Sequence, residues 1–260
     1  MRDSARSHPV EKGQPDPIFY RHLAAYRFAA RFVPGRKVLD LGCGDGYGSA
    51  LLAETASSVF AVDGHAPTIT AAGKRYVMSN LRFAALDFSR GFSLDERFDV
   101  AVSMQVVEQM PDDASFVANL KAVLAPDGVA IISTPNRLRT VFPNPLHCRE
   151  YLPEEFALLC ATVFQYVDLY GVTGNRKVED WLVRRHRVAR MGVALGLSRI
   201  QRALPTGLLL RLYGCAEAFT HLNLFARSGS AASAIAANDF DVRPDALSDS
   251  LDLIAVCRSR

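Results

Sequence analysis

The chain has 260 residues, a formal net charge of +3 and 49% hydrophobic residues, which is ordinary globular composition and enough length for one α/β domain with an insertion. No stretch of about 18 residues lacks charges or helix breakers, so no transmembrane span is expected, and the small net charge does not indicate nucleic-acid binding. The 5 cysteines are odd in number and form no close CxxC pair, which argues against a disulfide framework or a zinc site and favours a reducing cytoplasm.

The first half of the chain predicts a helix followed by a parallel sheet. Residues 1–17 are polar, lack the apolar core of a secretory signal and are predicted to form a loose tail. From Ile18 to Phe32 apolar residues recur at helical spacing. Apolar runs of strand length then alternate with helical patterns, at Lys37–Leu41, Val59–Val62, Leu81–Ala85, Phe98–Ser103 and Val129–Ser133. This alternation predicts a doubly wound, Rossmann-like α/β fold that binds ligands at the carboxyl ends of its strands.

The second half is less regular. A helix is predicted over Glu154–Thr162 and a strand over Val167–Val172. The alternation then stops until a final strand, Leu251–Val256. We therefore predict that residues 18–260 form one domain, with a mainly helical insertion at about 173–238 before the final strand.

The most informative motif is the glycine-rich loop after the first strand, VLDLGCGDG over 38–46. A dinucleotide site needs GxGxxG, and no third glycine falls in place when the count starts at Gly42 or at Gly44. Asp40 and Asp45 would repel a pyrophosphate, whereas they suit the cationic amino group and sulfonium of S-adenosylmethionine. The loop therefore favours S-adenosylmethionine over a nicotinamide dinucleotide.

Further candidate ligands of a nucleoside follow the next predicted strands. Asp63 ends the second strand, where a carboxylate can accept hydrogen bonds from both ribose hydroxyls. Asp87 follows the third strand and can accept from an adenine amino group while Phe88 covers the ring. The fourth strand delivers Met104 and Gln105 to the same crevice. Each acid alone is also typical of a turn or a cap, but their shared position at strand ends favours binding.

Several motifs together resemble the class I S-adenosylmethionine-dependent methyltransferases of the small-molecule type: VLDLGCGDGYG, VFAVD, FDVAVSMQVVEQM, LAPDGVAIISTPN and NPLHCREYLPEEF. The resemblance runs from about Tyr20 to Gly171, with a further match at the end of the chain. It implies a seven-stranded sheet whose last strand is antiparallel. It also implies that Gly42 and Gly44 approach the cofactor, that Asp63 holds the ribose, and that Asp87 and Phe88 border the adenine. The full predicted set of cofactor-binding residues adds Asp40, Gly64 and Met104.

A narrower resemblance concerns the methyl acceptor. The segments STPN (133–136), NPLH (144–147) and REY (149–151) are similar to methyltransferases that act on hydroxyls of sugars and polysaccharides. The ending DSLDLIAV (249–256) is similar to enzymes that methylate mannose polysaccharides. This implies an O-methyltransferase acting on a sugar, polysaccharide or glycolipid. The alternatives are a phenol- or quinone-like acceptor, an N acceptor, or a noncatalytic scaffold that binds S-adenosylmethionine.

His147 and Glu108 are the predicted catalytic residues. A neutral imidazole can take the proton of an attacking hydroxyl, whereas the simpler alternative is a loop histidine bonded to Glu150 or to backbone. Quinone O-methyltransferases, which share the region after strand four, carry two glutamates and a histidine as ligands of a divalent metal. Here the corresponding positions read Gln105, Glu108 and Gln109, a weak set for a hard cation. No metal ligand is therefore assigned, and dependence on a divalent metal is left open.

Two regions carry predictions about further contacts. Arg21 and His22, in the first helix, are predicted to meet the carboxylate of the cofactor or to lie on a solvated helix face. The insertion has basic residues around Trp181: Arg176, Lys177, Arg184, Arg185, Arg187 and Arg190. This pattern fits peripheral contact with an anionic membrane or lipid-linked substrate, a lid or homodimer surface, or a solvated helix with one buried stripe.

Overall fold

The structure is a computed structural model that describes residues 17–140, 144, 146–184 and 234–259. The strands are β1 Lys37–Leu41, β2 Ser58–Asp63, β3 Leu81–Ala85, β4 Phe98–Met104, β5 Leu124–Pro135, β6 Tyr166–Gly174, β7 Phe240–Arg243 and β8 Asp252–Arg258. The helices are α1 Pro17–Ala29, α2 Tyr47–Ala53, α3 Ala66–Arg75, α4 Asp113–Ala122 and α5 Pro153–Ala161. A further helix, α6, begins at 176 and continues to 184, where this described range stops.

The eight strands of the described residues form one sheet in the order β3-β2-β1-β4-β5-β8-β6-β7. The neighbours from β3 to β5 pair in parallel, whereas β8 is antiparallel to both β5 and β6. The predicted doubly wound fold with an antiparallel last strand is therefore confirmed. The predicted count of seven strands is wrong, because β7 adds an eighth strand antiparallel to the free edge of β6. With 4 residues, β7 is too short for a hydrophobic pattern to identify.

The central strands are apolar almost throughout because both faces of the sheet are covered. Val38 packs on one face in a cluster that includes residues of α1 and α2. Its neighbour Leu39 packs on the other face with residues of α4 and α5. Successive side chains of a strand point to opposite faces, so a strand buried on both sides reads as a continuous apolar run. This burial fixes the sheet, and its carboxyl edge carries the loops described below.

The described part of the predicted insertion is attached to the body of the domain. In α6, Trp181 and Leu182 are buried in the main core, and Glu179 pairs with Arg139 at 2.6 Å. The remainder of the insertion up to 233 lies outside the described residues, as does the predicted tail up to residue 16. The insertion, the dimer surface and the membrane contact therefore stay predictions. Within the described ranges, no helix has the length and apolar character needed to cross a membrane.

Candidate active site

The glycine loop turns sharply as it leaves β1. Gly42 has φ +84° and Gly46 has φ +85°, a region that residues with a Cβ rarely adopt. A Cβ on Gly42 would also lie 2.3 Å from Cγ2 of Val106. The backbone N–H of Gly44 donates to Oδ2 of Asp63 at 3.1 Å. The loop is thus bonded to the end of the next strand, and it brings the predicted cofactor residues of β1 and β2 together.

Asp40 lies in β1, two residues before Gly42 of the loop. Its buried carboxylate accepts hydrogen bonds from Ser49 Oγ at 2.6 Å and from Tyr26 Oη at 3.2 Å. The ring of Tyr26 fits only because residue 48 is glycine, since a Cβ there would lie 2.2 Å from the ring. Burial raises the pKa of Asp40 to about 7, although the bonds from Ser49 and Tyr26 act in the opposite direction. Asp40 therefore ties α1 and α2 to the first strand beneath the loop.

Asp63 is the strand-end acid with the clearest geometry for a ribose. Besides the bond from Gly44, its Oδ1 accepts a hydrogen bond from the backbone N–H of His65 at 2.8 Å. Two backbone donors hold the carboxylate in one orientation, and a carboxylate has about four lone-pair positions in all. Acceptor capacity therefore remains for the ribose hydroxyls. Gly64 lies between Asp63 and His65, where the chain turns from β2 toward α3.

The two residues after β3 differ in their surroundings. Asp87 is exposed and accepts a hydrogen bond from the backbone N–H of Ser89 at 3.0 Å. The bonds from Ser89 lower the pKa of Asp87. Phe88 is buried, with ring centroids 6.5 Å from Phe92 and 6.3 Å from Phe116. Asp87 is thus open to a ligand, whereas the ring predicted to cover adenine is packed in the core.

Gln105, expected from the sequence at the strand end after Met104, has a strained backbone that the sequence does not predict. Met104, predicted to contact the cofactor, is buried, and Gln105 after it has φ +59°, uncommon for a residue other than glycine. The Gln105 backbone N–H donates to the carbonyl oxygen of Ser133 at 3.0 Å. Its side-chain Nε2 donates to Ser133 Oγ at 3.2 Å, and its carbonyl accepts from Gln109 at 2.8 Å. Strain held by several hydrogen bonds is typical of functional sites.

His147 and Glu150 form a hydrogen-bonded pair in the segment between β5 and α5. His147 Nδ1 lies 2.8 Å from Glu150 Oε1, and the two side chains are 13% and 11% exposed. Burial acts to raise the pKa of Glu150, but the bonds from His147 and Thr140 outweigh it and the pKa is lowered. Within the described ranges, the His147 ring makes no hydrogen bond other than the one through Nδ1. Nε2 can therefore serve a substrate.

Glu108, between β4 and α4, is hydrogen-bonded to the backbone that links His147 and Glu150. Its carbonyl oxygen accepts hydrogen bonds from the backbone N–H groups of Cys148 at 2.7 Å and Arg149 at 3.2 Å. Its side chain is 1% exposed and accepts a hydrogen bond from Thr134 Oγ1 at 3.2 Å. Burial raises the pKa of Glu108 to about 8. At pH 7 the carboxyl group is therefore largely neutral and can donate a hydrogen bond.

The raised pKa of Glu108 predicts how stability depends on pH. Below the ordinary carboxyl pKa of 4.5 the group is protonated in both the folded and unfolded chain. Between there and about 8 only the folded chain keeps the proton, so the free energy of unfolding falls as pH rises. The glutamine side chain in Glu108→Gln cannot ionise, so the variant should not show this fall in the free energy of unfolding. Compared with wild type, we expect the variant to gain about 1–3 kcal/mol between pH 4.5 and pH 8 in urea unfolding.

The matched control for this measurement is Glu154→Gln, which changes an exposed glutamate at the start of α5. It should leave the pH dependence of wild type unaltered. Parallel stability curves for wild type and Glu108→Gln over the same pH range would contradict the assignment of a buried, protonated Glu108.

The structure also brings in Asp252, a charged residue to which the sequence analysis gave no role. It is the first residue of β8 and lies 3.0 Å from Nε of Arg21 in α1. A signal was present in the sequence, since an acid opens an otherwise apolar strand. That signal is weak, because acids are common at strand ends. The described residues contain no group of three or more His, Cys, Asp or Glu side chains that could hold a metal ion.

Comparison with known proteins agrees with this geometry. A family model described as "Methyltransferase domain" matches residues 39–132, from β1 into β5. A probable S-adenosylmethionine-dependent methyltransferase of Mycolicibacterium smegmatis is 33% identical over 247 residues, which cover 92% of this chain and 87% of that protein. A ubiquinone biosynthesis O-methyltransferase of Actinobacillus pleuropneumoniae is 34% identical over 128 residues, 45% of this chain and 53% of that enzyme. The chain thus spans about half the length of that second relative.

Among solved structures, an S-adenosylmethionine-dependent methyltransferase from Thermotoga maritima has a TM-score of 0.57 at 12% identity, covering 94% of this chain and 92% of the other. This similarity shows a shared fold over nearly the whole length. The relative from Mycolicibacterium smegmatis matches most of this chain. The glycine loop with positive φ and the carboxylate at the end of β2 are consistent with the cofactor site of that family. The chain belongs to the S-adenosylmethionine-dependent methyltransferases, and S-adenosylmethionine is its cofactor.

Proposed function

We propose that the enzyme methylates a hydroxyl oxygen of a sugar, polysaccharide or glycolipid. The observation that supports it most is the pair of His147 and Glu150, joined at 2.8 Å in the segment between β5 and α5. A hydroxyl becomes a better nucleophile as its proton is removed, and an oriented neutral histidine is the side chain best suited to that task near neutral pH. The bond from Nδ1 to a carboxylate favours the tautomer in which Nε2 is the base.

In this proposal the protein has two tasks: it binds the reactants, and it removes the proton of the reacting hydroxyl. When bound, S-adenosylmethionine supplies a methyl group on a positively charged sulfur, which leaves with the C–S electron pair as a neutral thioether. His147 Nε2 accepts the hydroxyl proton as the acceptor oxygen bonds to the methyl carbon. Glu150 stabilises the imidazolium that forms. The backbone carbonyl oxygen of Glu108 holds the backbone at 148 and 149 and so positions His147.

The cofactor contacts are part of the same proposal. We assign the ribose to Asp63 and the adenine edge to Asp87, with Phe88 beside it. The methionine portion is assigned to Gly42 and Gly44 in the loop after β1, the strand that lies between β2 and β4 in the sheet. We also assign cofactor contacts to Asp40 in β1, to Gly64 after β2 and to Met104 at the end of β4. Alignment of oxygen, methyl and sulfur by these contacts supplies much of the rate in such a displacement.

A phenol- or quinone-like acceptor is the second candidate. It is favoured by the relatives named as ubiquinone biosynthesis O-methyltransferases, which match about half of this chain. The same pair of His147 and Glu150 would serve a phenol, whose lower pKa makes a base less important. The two candidates therefore differ in the acceptor and not in the site residues.

Transfer of labelled methyl from S-adenosylmethionine tests the proposal. The panel is methyl mannoside, a mannosylated glycolipid, catechol and a primary amine, each with and without EDTA. We expect label in the sugar or glycolipid and no effect of EDTA. Transfer to catechol alone would replace the sugar assignment by the phenolic one, and transfer to the amine alone would overturn O-methylation. Tight cofactor binding with no transfer to a full acceptor panel would favour the scaffold alternative.

A further inference from the structure

Asp252 is a buried carboxylate that the reaction described above does not use. Its side chain is 1% exposed, and the residue lies at the start of β8, paired with Pro135 of β5 and Val172 of β6. Because β8 is antiparallel to its neighbours, its first residue lies at the same edge of the sheet as the carboxyl ends of β4 and β5. Asp252 therefore belongs to the edge that binds ligands in this fold.

The hydrogen bonds of this carboxylate are incomplete. Arg21 Nε approaches Oδ2 to 3.0 Å, but neither oxygen of Asp252, nor Nε of Arg21, has a hydrogen bond of good geometry within the described part of the chain. A buried carboxylate without aligned donors is costly, even when a cation lies beside it. Burial raises the pKa of Asp252, while Arg21, Gln105 and His147 favour the ionised form. Arg21 and Gln105 therefore lie beside the carboxylate, but the site lacks a hydrogen-bond donor aligned on either oxygen.

The position of Asp252 favours the methyl acceptor as the source of that donor. The strand order places β8 three strands from β1 and four from β2. At about 4.8 Å per strand, its backbone lies about 14 Å from the glycine loop strand and farther from the ribose acid Asp63. On the other side, Pro135 pairs with Asp252, and the next residue, Asn136, bridges to Tyr151. Asp252 is thus beside the segment that carries His147 and Glu150.

We propose that Asp252 binds a second hydroxyl of the methyl acceptor, adjacent to the hydroxyl that reacts at His147. The acceptor is then a vicinal diol, a chemistry shared by sugars and by dihydroxy aromatic rings. The carboxylate accepts a hydrogen bond from one hydroxyl while Nε2 of His147 receives the proton of its neighbour. Access requires Arg21 to move aside, and its side chain is 22% exposed. This inference rests on the proposed O-methylation and adds the recognition of the acceptor.

Paired acceptors test it through a ratio that a general loss of structure does not change. The substrates are methyl mannoside against its 2,4-dideoxy analogue, which keeps single hydroxyls at positions 3 and 6 but no vicinal diol, and catechol against phenol. For the pair that is turned over, wild type should favour the diol in kcat/KM by at least about tenfold, since a site with a buried polar group rejects an analogue that leaves it unpaired. Asp252→Asn should reduce this preference to about threefold or less with an unchanged Kd for S-adenosylmethionine.

Two further variants separate recognition from structure. Asp252→Glu keeps the charge opposite Arg21 but moves the carboxylate by one methylene, so it should fold and still lose most of the preference. Asp168→Asn breaks an exposed ion pair with Arg258 in the same sheet, at 2.7 Å, and should leave the preference unchanged. A diol preference retained in both Asp252 variants, or absent from wild type, would overturn this inference alone. Failure of every hydroxyl acceptor would overturn the proposed function together with it.

Discussion

Asp63→Ala is expected to weaken the binding of S-adenosylmethionine by about 100-fold or more. The substitution removes two contacts at once: the predicted bonds to the ribose hydroxyls and the bond at 3.1 Å that holds the backbone of Gly44. Hydrogen bonds to a charged group contribute about 1.5–3 kcal/mol each, and about 2.7 kcal/mol corresponds to a factor of 100 in Kd. Isothermal titration of the purified protein with S-adenosylmethionine and with S-adenosylhomocysteine measures the change.

Two companion variants define what this loss means. Asp63→Asn keeps an acceptor oxygen near Gly44 but cannot accept from both ribose hydroxyls and the loop together, so its Kd should lie between those of wild type and Asp63→Ala. Asp127→Asn changes an exposed aspartate in the long strand β5 and should not alter the Kd. If Asp63→Ala bound the cofactor as tightly as wild type while remaining folded, the ribose assignment would be wrong.

The fold was predictable from sequence wherever burial imposed a pattern. Strands β1 and β3 match their predicted bounds, Lys37–Leu41 and Leu81–Ala85, because both faces of the sheet are covered and turn residues flank each run. β7 was missed because 4 residues of mixed polarity carry no period, and its place is decided by the free edge of β6. Local pattern predicts an element only when the element buries a repeated face.

The site was predictable in part, for a related physical reason. Gly42 and Asp63 stand out because a turn with positive φ and a strand-end acid leave a signal in residue type. The left-handed backbone of Gln105 and the burial of Asp252 leave almost no signal in residue type. Gln105 is held by Ser133 and Asp252 is covered by Arg21, and both partners are distant in the sequence. Asp40 was expected from the sequence to contact the cofactor, which stays a prediction, and only the structure shows that its carboxylate accepts hydrogen bonds from Ser49 and Tyr26.

His147→Ala is expected to lower kcat by about 100-fold while leaving the Kd for S-adenosylmethionine within about twofold of wild type. The imidazole is bonded to Glu150 at 2.8 Å and makes no hydrogen bond to the glycine loop within the described residues. Removing a general base costs about 10²–10⁴ in rate, and the lower end applies because alignment of the reactants supplies much of the acceleration. Single-turnover rates with saturating cofactor and acceptor measure the chemical step.

The neighbouring residues provide the controls that assign this loss to proton transfer. Glu150→Gln keeps a hydrogen bond to Nδ1 but removes the charge that stabilises the imidazolium, so its kcat should fall by about tenfold. Cys148→Ser changes the exposed thiol next to His147 and preserves a donor to the carbonyl of Gln109, so its kcat should match wild type. Equal rates for His147→Ala and wild type would remove the base assignment and leave methyl transfer to alignment alone. A fall in cofactor affinity equal to the fall in kcat would instead place His147 at the cofactor.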